Sequence, residues 1–226
     1  MKLKSSLLTI SLFTAFSVAS ANAALVAYWN FNGLSISSAS TPGSGGVPTS
    51  IPADMGAGSV GLNNWLGTVD DFAGTTINNS GAAPSGAALS LIASGSTAGP
   101  YPGNGSSIIV SFPMTGLENP VFTLATQRSP TGFTTNQIAY STDGSTFTDF
   151  GTTYTPAASF AVLTWDLSSI NALDSATSVF VRITFGGATS NSGNNRIDNI
   201  QVNAIPETTT GLLGTLALLG ILRRRR

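Results

Sequence analysis

Apolar residues in this chain fall in short runs, each bounded by glycine, proline, asparagine or serine. The runs lie at 25–31, 88–93, 107–112, 120–126, 136–141, 147–150, 160–167, 178–185 and 196–202. β-Branched and aromatic residues dominate them, the mark of half-buried strands. Alternation is clearest where Ile138 and Tyr140 precede Asp143-Gly144, and where Leu163, Trp165 and Leu167 share one face. Asp143-Gly144 supplies the positive φ values of a tight hairpin turn. Residues 34–60 are rich in Ser, Gly, Pro and Ala and read as a long loop or flexible insert. Only 170–176 has room for a short helical turn. Eight or nine strands without helical spacing predict an all-β chain folded as an antiparallel sandwich.

Both ends depart from this pattern. Met1-Lys2-Leu3-Lys4 is a charged start, 7–18 is apolar, and Ala21-Asn22-Ala23 is a small-x-small site, the three parts of a cleaved signal peptide over 1–23. At the other end Ile205-Pro206-Glu207 is followed by fifteen uncharged residues, 208–222, and then by Arg223, Arg224, Arg225 and Arg226. As a helix those fifteen residues span about 22 Å, short against a bilayer core of about 30 Å. A block of permanently charged arginines resists crossing and stays cytoplasmic.

This tail resembles the PEP-CTERM sorting signal, in which a Pro-Glu motif, a hydrophobic segment and an arginine-rich end follow in that order. Thr208 stands where the family has its second proline. The resemblance implies export in a Gram-negative bacterium that makes exopolysaccharide, processing by an exosortase-like protease, and release to or attachment at the cell surface. It implies membrane association through the tail, at least in transit. The domain organisation expected is therefore a signal peptide at 1–23, a β-sandwich at 24–204 and a sorting segment at 205–226.

Composition narrows what residues 24–204 can do. They hold Arg128, Arg182 and Arg196 against nine acidic residues, a net charge of −6, although the whole chain comes to −1. No basic patch exists for nucleic acid. The chain has no histidine and no cysteine. That removes disulfides, Ser-His-Asp and Cys-His nucleophiles, and most zinc, copper and iron chemistry. Carboxylate chemistry and hard cations bound through oxygen are left. A glycoside hydrolase needs two carboxylates facing one cleft, and no pair is set by spacing. Asp70 and Asp71 are adjacent and would point to opposite faces of a strand, while Glu118, Asp143, Asp149, Asp166 and Asp174 read as turn, loop or strand-end residues. The expectation is a protein that is not an enzyme.

Two binding elements are expected. Exposed aromatics are the stacking platforms of sugar sites, and Trp65 in Asn63-Asn-Trp-Leu and Tyr101 in Gly99-Pro-Tyr-Pro-Gly stand in loop-like sequence. Asp198 shares strand parity with Ile200 and Val202, so alternation puts a carboxylate at the core margin. Arg182, Arg196, a backbone N–H or a structural calcium ion would then partner it. The Tyr140–Gly144 hairpin, the 179–185 strand and the closing 196–202 strand resemble a bacterial surface jelly roll of the carbohydrate-binding-module type. In such folds first and last strands pair, and a calcium ion sits near that end. The opening 26–31 stretch is similar to laminin-G-like and concanavalin-like sandwiches. The functional expectation is an exported, non-enzymatic surface or matrix protein. The alternative is a module that binds exopolysaccharide.

Overall fold

Short alternating segments become thirteen strands and a single 3-10 turn in the computed structural model, which describes residues 22–207. The strands are β1 Ala24–Trp29, β2 Ser50–Pro52, β3 Met55–Gly56, β4 Ser59–Gly61, β5 Thr68–Ala73, β6 Ala87–Ile92, β7 Ser107–Phe112, β8 Leu117–Arg128, β9 Thr135–Ser141, β10 Thr148–Tyr154, β11 Ala161–Asp166, β12 Val179–Gly186 and β13 Asn194–Pro206. The 3-10 turn, Asn171–Leu173, falls inside the 170–176 stretch. The predicted signal peptide up to Ala21 and the segment 208–226, Arg223 to Arg226 included, lie outside the described residues. Among the described residues no helix is long and apolar enough to cross a membrane.

The strands form two antiparallel sheets. One runs β10-β9-β12-β7-β4-β2. The other is organised on β13, which pairs with β8 along its length. The opposite edge of β13 meets β6 over Asn194–Ile197 and β1 over Ile200–Ala204, so first and last strands are neighbours. β11 extends this sheet beyond β8, β3 beyond β1, and β5 beyond β6. This is the jelly-roll-type sandwich that the pattern predicts.

Period-two alternation sends one set of side chains from each sheet inward. In β12, Val179, Val181, Ile183 and Phe185 are buried while Phe180, Arg182 and Thr184 are half-exposed. Trp29, Phe112, Phe122, Phe133 and Leu124 join them in one core. Each such side chain contributes roughly 1.5–3 kcal/mol on burial, which is how a chain without disulfides holds together.

Two expectations are corrected. Residues 34–49 form the expected long loop, but it is packed down, with Ile36 and Val47 buried in the core, and 50–60 carry β2, β3 and most of β4, with Ile51 and Val60 buried. β9 and β10 form the expected hairpin, but its turn is not tight: Thr148 pairs with Tyr140, residues 142–147 form a longer loop, and of Asp143 and Gly144 only Gly144 has positive φ, at 72°.

Candidate functional site

The outer face of the six-stranded sheet carries the half-exposed side chains of β12. Strand register places Arg182 between Ala139 of β9 and Ile109 of β7, Thr184 beside Gln137 and Ser107, and Phe180 beside Ser141 and Ser111. Asp149 continues the Arg182 row beyond Ala139. The loop between β9 and β10 folds back over one end of this face. There the Arg182 guanidinium lies 4.3 Å from the centroid of the Phe147 ring. Such a stack holds a planar cation in place and adds about 0.5–2 kcal/mol. Arg182 Nε is buried without a hydrogen-bond partner. Gln137 donates through Nε2 to the Ile138 and Phe150 carbonyls, at 2.7 and 3.2 Å. The face therefore combines two aromatic rings, a guanidinium, an amide and the half-exposed hydroxyls of Thr184 and Ser111, since Ser107 and Ser141 are buried.

Asp143 shapes that loop. Its Oδ1 accepts the N–H groups of Ser145 and Thr146, both at 2.8 Å, and the Ser141 hydroxyl at 2.8 Å. These bonds, led by those from Ser145 and Thr146, hold its carboxyl down at about 2. Gly144 lies against Phe180, and a Cβ there would come within 3.2 Å of the ring. Loop and strand thus fix each other.

The aromatics expected to be platforms sit elsewhere. Trp65 is 2% exposed. It packs edge-on against Phe133 and Phe185 at 5.5 and 5.4 Å, and Nε1 donates to the Thr68 carbonyl. Asn63-Asn64 look loop-like, but the following Trp is drawn into the core because its large apolar surface outweighs the local turn. It offers no face to a ligand, which corrects the expectation. Tyr101 is half-buried, packed against the core, and donates to the Thr97 carbonyl at 3.2 Å. Trp165 is half-buried beside Phe122 and Tyr154, and burial pushes the Tyr154 phenol above its ordinary value. Nothing brings Tyr101 to the Arg182 face.

Asp198 is 1% exposed, but its side chain does not follow Ile200 and Val202. The step from Asp198 to Gln201 in β13 faces the shorter step from Ala125 to Thr123 in β8. That extra residue is a β-bulge, made possible by Asn199 at φ 48°. It turns Asp198 to the outer face, beneath residues 74–80. Its partners are backbone N–H groups, Thr75 at 2.7 Å and Asn199 at 2.8 Å, rather than Arg182 or Arg196. Arg182 belongs to the other sheet, and Arg196 donates to the Ala73 carbonyl. Burial dominates these two bonds and pushes the carboxyl up to about 7. Asn199 ties the same segment down through the Thr75 and Ile77 carbonyls, at 2.7 and 2.9 Å, and accepts the Tyr28 hydroxyl. Asn78 and Gln201 add further bonds. Both Asp198 oxygens already accept an N–H, and no group of three or more His, Cys, Asp or Glu comes together among the described residues.

Four further carboxylates hold backbone. Asp54 accepts from Asn30, Asp71 from Ile36, Asp166 from Ser168 and Asp174 from Asn119, at 2.7–3.1 Å. The sorting-motif residues Ile205 and Pro206 belong to β13, opposite Glu118 and Leu117. Glu207 donates its N–H to the Gly116 carbonyl and accepts the Ser175 hydroxyl at 2.6 Å. The fold therefore runs three residues beyond the expected boundary at 204. A concavity of about 240 Å³ lies between Phe31, Leu34, Pro48, Ile51 and Asp54. It is smaller than ordinary ligand pockets of about 300–1,000 Å³.

No protein-family profile and no curated sequence matches this chain. Among solved structures it is similar to the CBM22-1 xylan-binding domain of Xyn10C from Paenibacillus barcinonensis, at 8% identity and TM-score 0.43 over 84% of this chain and 100% of that one. It is also similar to domain 4 of AbnA, a GH43 extracellular arabinanase from Geobacillus stearothermophilus, in complex with arabinotriose (12% identity, TM-score 0.42, 82% and 95%). A third is the carbohydrate-binding module CBM6cm-2 of lichenase 5A from Cellvibrio mixtus in complex with cellotriose (12% identity, TM-score 0.36, 80% and 98%). At these identities and scores the likenesses concern architecture, and no ligand is transferred from them.

Proposed function

We propose that this chain is an exported, non-catalytic glycan-binding module that holds a polysaccharide against the outer face of its six-stranded sheet. One observation carries the reading. Phe147, Phe180 and Arg182 stand together on a half-exposed sheet face edged by Gln137, Thr184 and Ser111. Sugars present apolar C–H faces that sit on rings, and hydroxyls that need several donors and acceptors at once. An aromatic pair beside a guanidinium, an amide and hydroxyls meets both needs. Such an arrangement favours glycan binding over display of a merely structural protein.

The carboxylates support a binding rather than a hydrolytic role. Six of them, Asp54, Asp71, Asp143, Asp166, Asp174 and Asp198, are engaged as acceptors of backbone N–H groups. Export is supported by the signal-peptide pattern ending at Ala21 and Ala23. Sorting by an exosortase-like protease is supported by Ile205-Pro206-Glu207 and the terminal arginines. A surface-retained module of this kind would hold the cell to its own exopolysaccharide.

The test is affinity electrophoresis of the full chain in detergent through gels containing a panel of neutral and acidic polysaccharides. At least one polymer is expected to retard it, with Phe147→Ala weakening retention about tenfold, equivalent to about 1.4 kcal/mol. Absence of retardation by every polymer, or unchanged retention in a folded Phe147→Ala variant, overturns the reading.

A further inference from the structure

We infer that the sugar held on this face carries a carboxylate, and that Arg182 is the residue that reads it. The inference rests on the glycan reading above and narrows it to uronic acids.

The guanidinium is a permanent charge with a flat fork of donors. Its neighbours in the strand row are Ala139 and Ile109, whose side chains accept nothing. Its Nε is buried without a partner. The other two arginines of the fold are satisfied differently. Arg128 donates to the carbonyls of Pro156, Ser129 and Pro130, and Arg196 to that of Ala73. Arg182 is instead laid flat on Phe147, an arrangement that fixes the plane of the fork without using its donors.

Nearby carboxylates do not complete it. Asp149 stands in the same row but beyond Ala139, two strand spacings or about 10 Å away. Asp143 Oδ1 already accepts two N–H groups and a hydroxyl within its own loop. A charge held partly out of water without a partner is costly, and a carboxylate is the planar anion that matches the fork with two parallel bonds. Hydroxyls on one side of that carboxylate would meet Thr184 and Gln137, the paired residues next along β12 and β9. Because residues 24–204 are net acidic, nothing attracts polyanions in general. Recognition would be local to this one side chain.

The experiment compares polygalacturonate and alginate, each beside its carboxyl-esterified form, with the full chain in detergent. The esterified polymers keep the sugar rings and mask the charge. At least tenfold tighter binding to one free acid than to its ester is expected, with the difference abolished in Arg182→Gln and partly kept in Arg182→Lys. Equal binding to acid and ester overturns the inference, as does a preference that survives Arg182→Gln. Binding to neutral polymers alone overturns it and leaves the glycan reading standing, whereas binding to no polymer removes both. If Arg182→Gln does not fold, the acid-against-ester comparison on the wild-type chain decides.

Discussion

Asp198 should make this domain less stable as the pH rises, the reverse of what a salt-bridged carboxylate does. Burial under residues 74–80 moves its carboxyl from 3.8 to about 7. Unfolding returns it to 3.8. Between those values the folded state holds a proton that the unfolded state has released, so stability falls with pH across that window and levels off above about 7. A gap of about three units corresponds to about 4 kcal/mol at roughly 1.4 kcal/mol each. That is a large part of a typical domain stability of about 5–15 kcal/mol. The upper part of the window, above about pH 5.5, holds no histidine or cysteine titration, because the chain has neither residue. Asp143, held at about 2, adds stability above 3.8 that is lost as the pH falls through about 2, below the window. Asp198→Asn removes the titration but leaves one of two N–H groups, Thr75 or Asn199, facing an amide donor, a cost of about 1–2 kcal/mol. The variant should therefore be less stable than wild type at pH 4 and more stable, by about 2 kcal/mol, at pH 8. Urea unfolding at steps from pH 4 to 8 measures both curves. A wild-type stability that is flat or rises over this range refutes the reasoning, as does an equal slope in Asp198→Asn.

Other consequences are simpler. Trp65→Ala should cost about 3–5 kcal/mol in urea unfolding through the core cavity it opens, while the protein that remains folded binds polysaccharide as before. Gly144→Val forces a β-branched residue to φ 72° within 3.2 Å of Phe180; about 1–2 kcal/mol of stability should go, and glycan retention should fall with it. Asn199→Ala loses its bonds to Thr75, Ile77 and Tyr28 and keeps an unfavourable φ. About 2–3 kcal/mol is expected, with hydrogen exchange speeding up first across residues 74–80.

The strands readable in sequence were those long enough to alternate. β7 spans 107–112 as expected, and β6, β9, β11 and β12 match within a residue or two. β2, β3 and β4 have two or three residues each, too few to show a period; β2 and β4 each carry one buried residue, Ile51 and Val60, and β3, exposed at both positions, is set by its pairing with β1. β5 was hidden because Asp70 and Asp71 break its alternation, although Val69 is in the core. Alternation also misplaced Asp198, because one extra residue in β13 flips the pattern and nothing in the order Arg-Ile-Asp-Asn-Ile marks the bulge. The proposed binding face is half legible. Parity alone separates Arg182 from Val181 and Ile183, but only the register shows Ala139 and Ile109 beside it. The stacking of Phe147 across a loop leaves no sequence signal. Trp65 shows the converse error, in which polar neighbours, Asn63 and Asn64, make a packed aromatic look exposed.

Residue-resolved amide shifts on titrating a retained oligosaccharide into the isotope-labelled chain test the central claim most directly. Shifts should cluster on β7, β9, β12 and residues 142–147, with Arg182 among the most affected. Shifts confined to the Phe31–Asp54 concavity, to the Tyr101 loop or to the β13 sheet would contradict the proposed site.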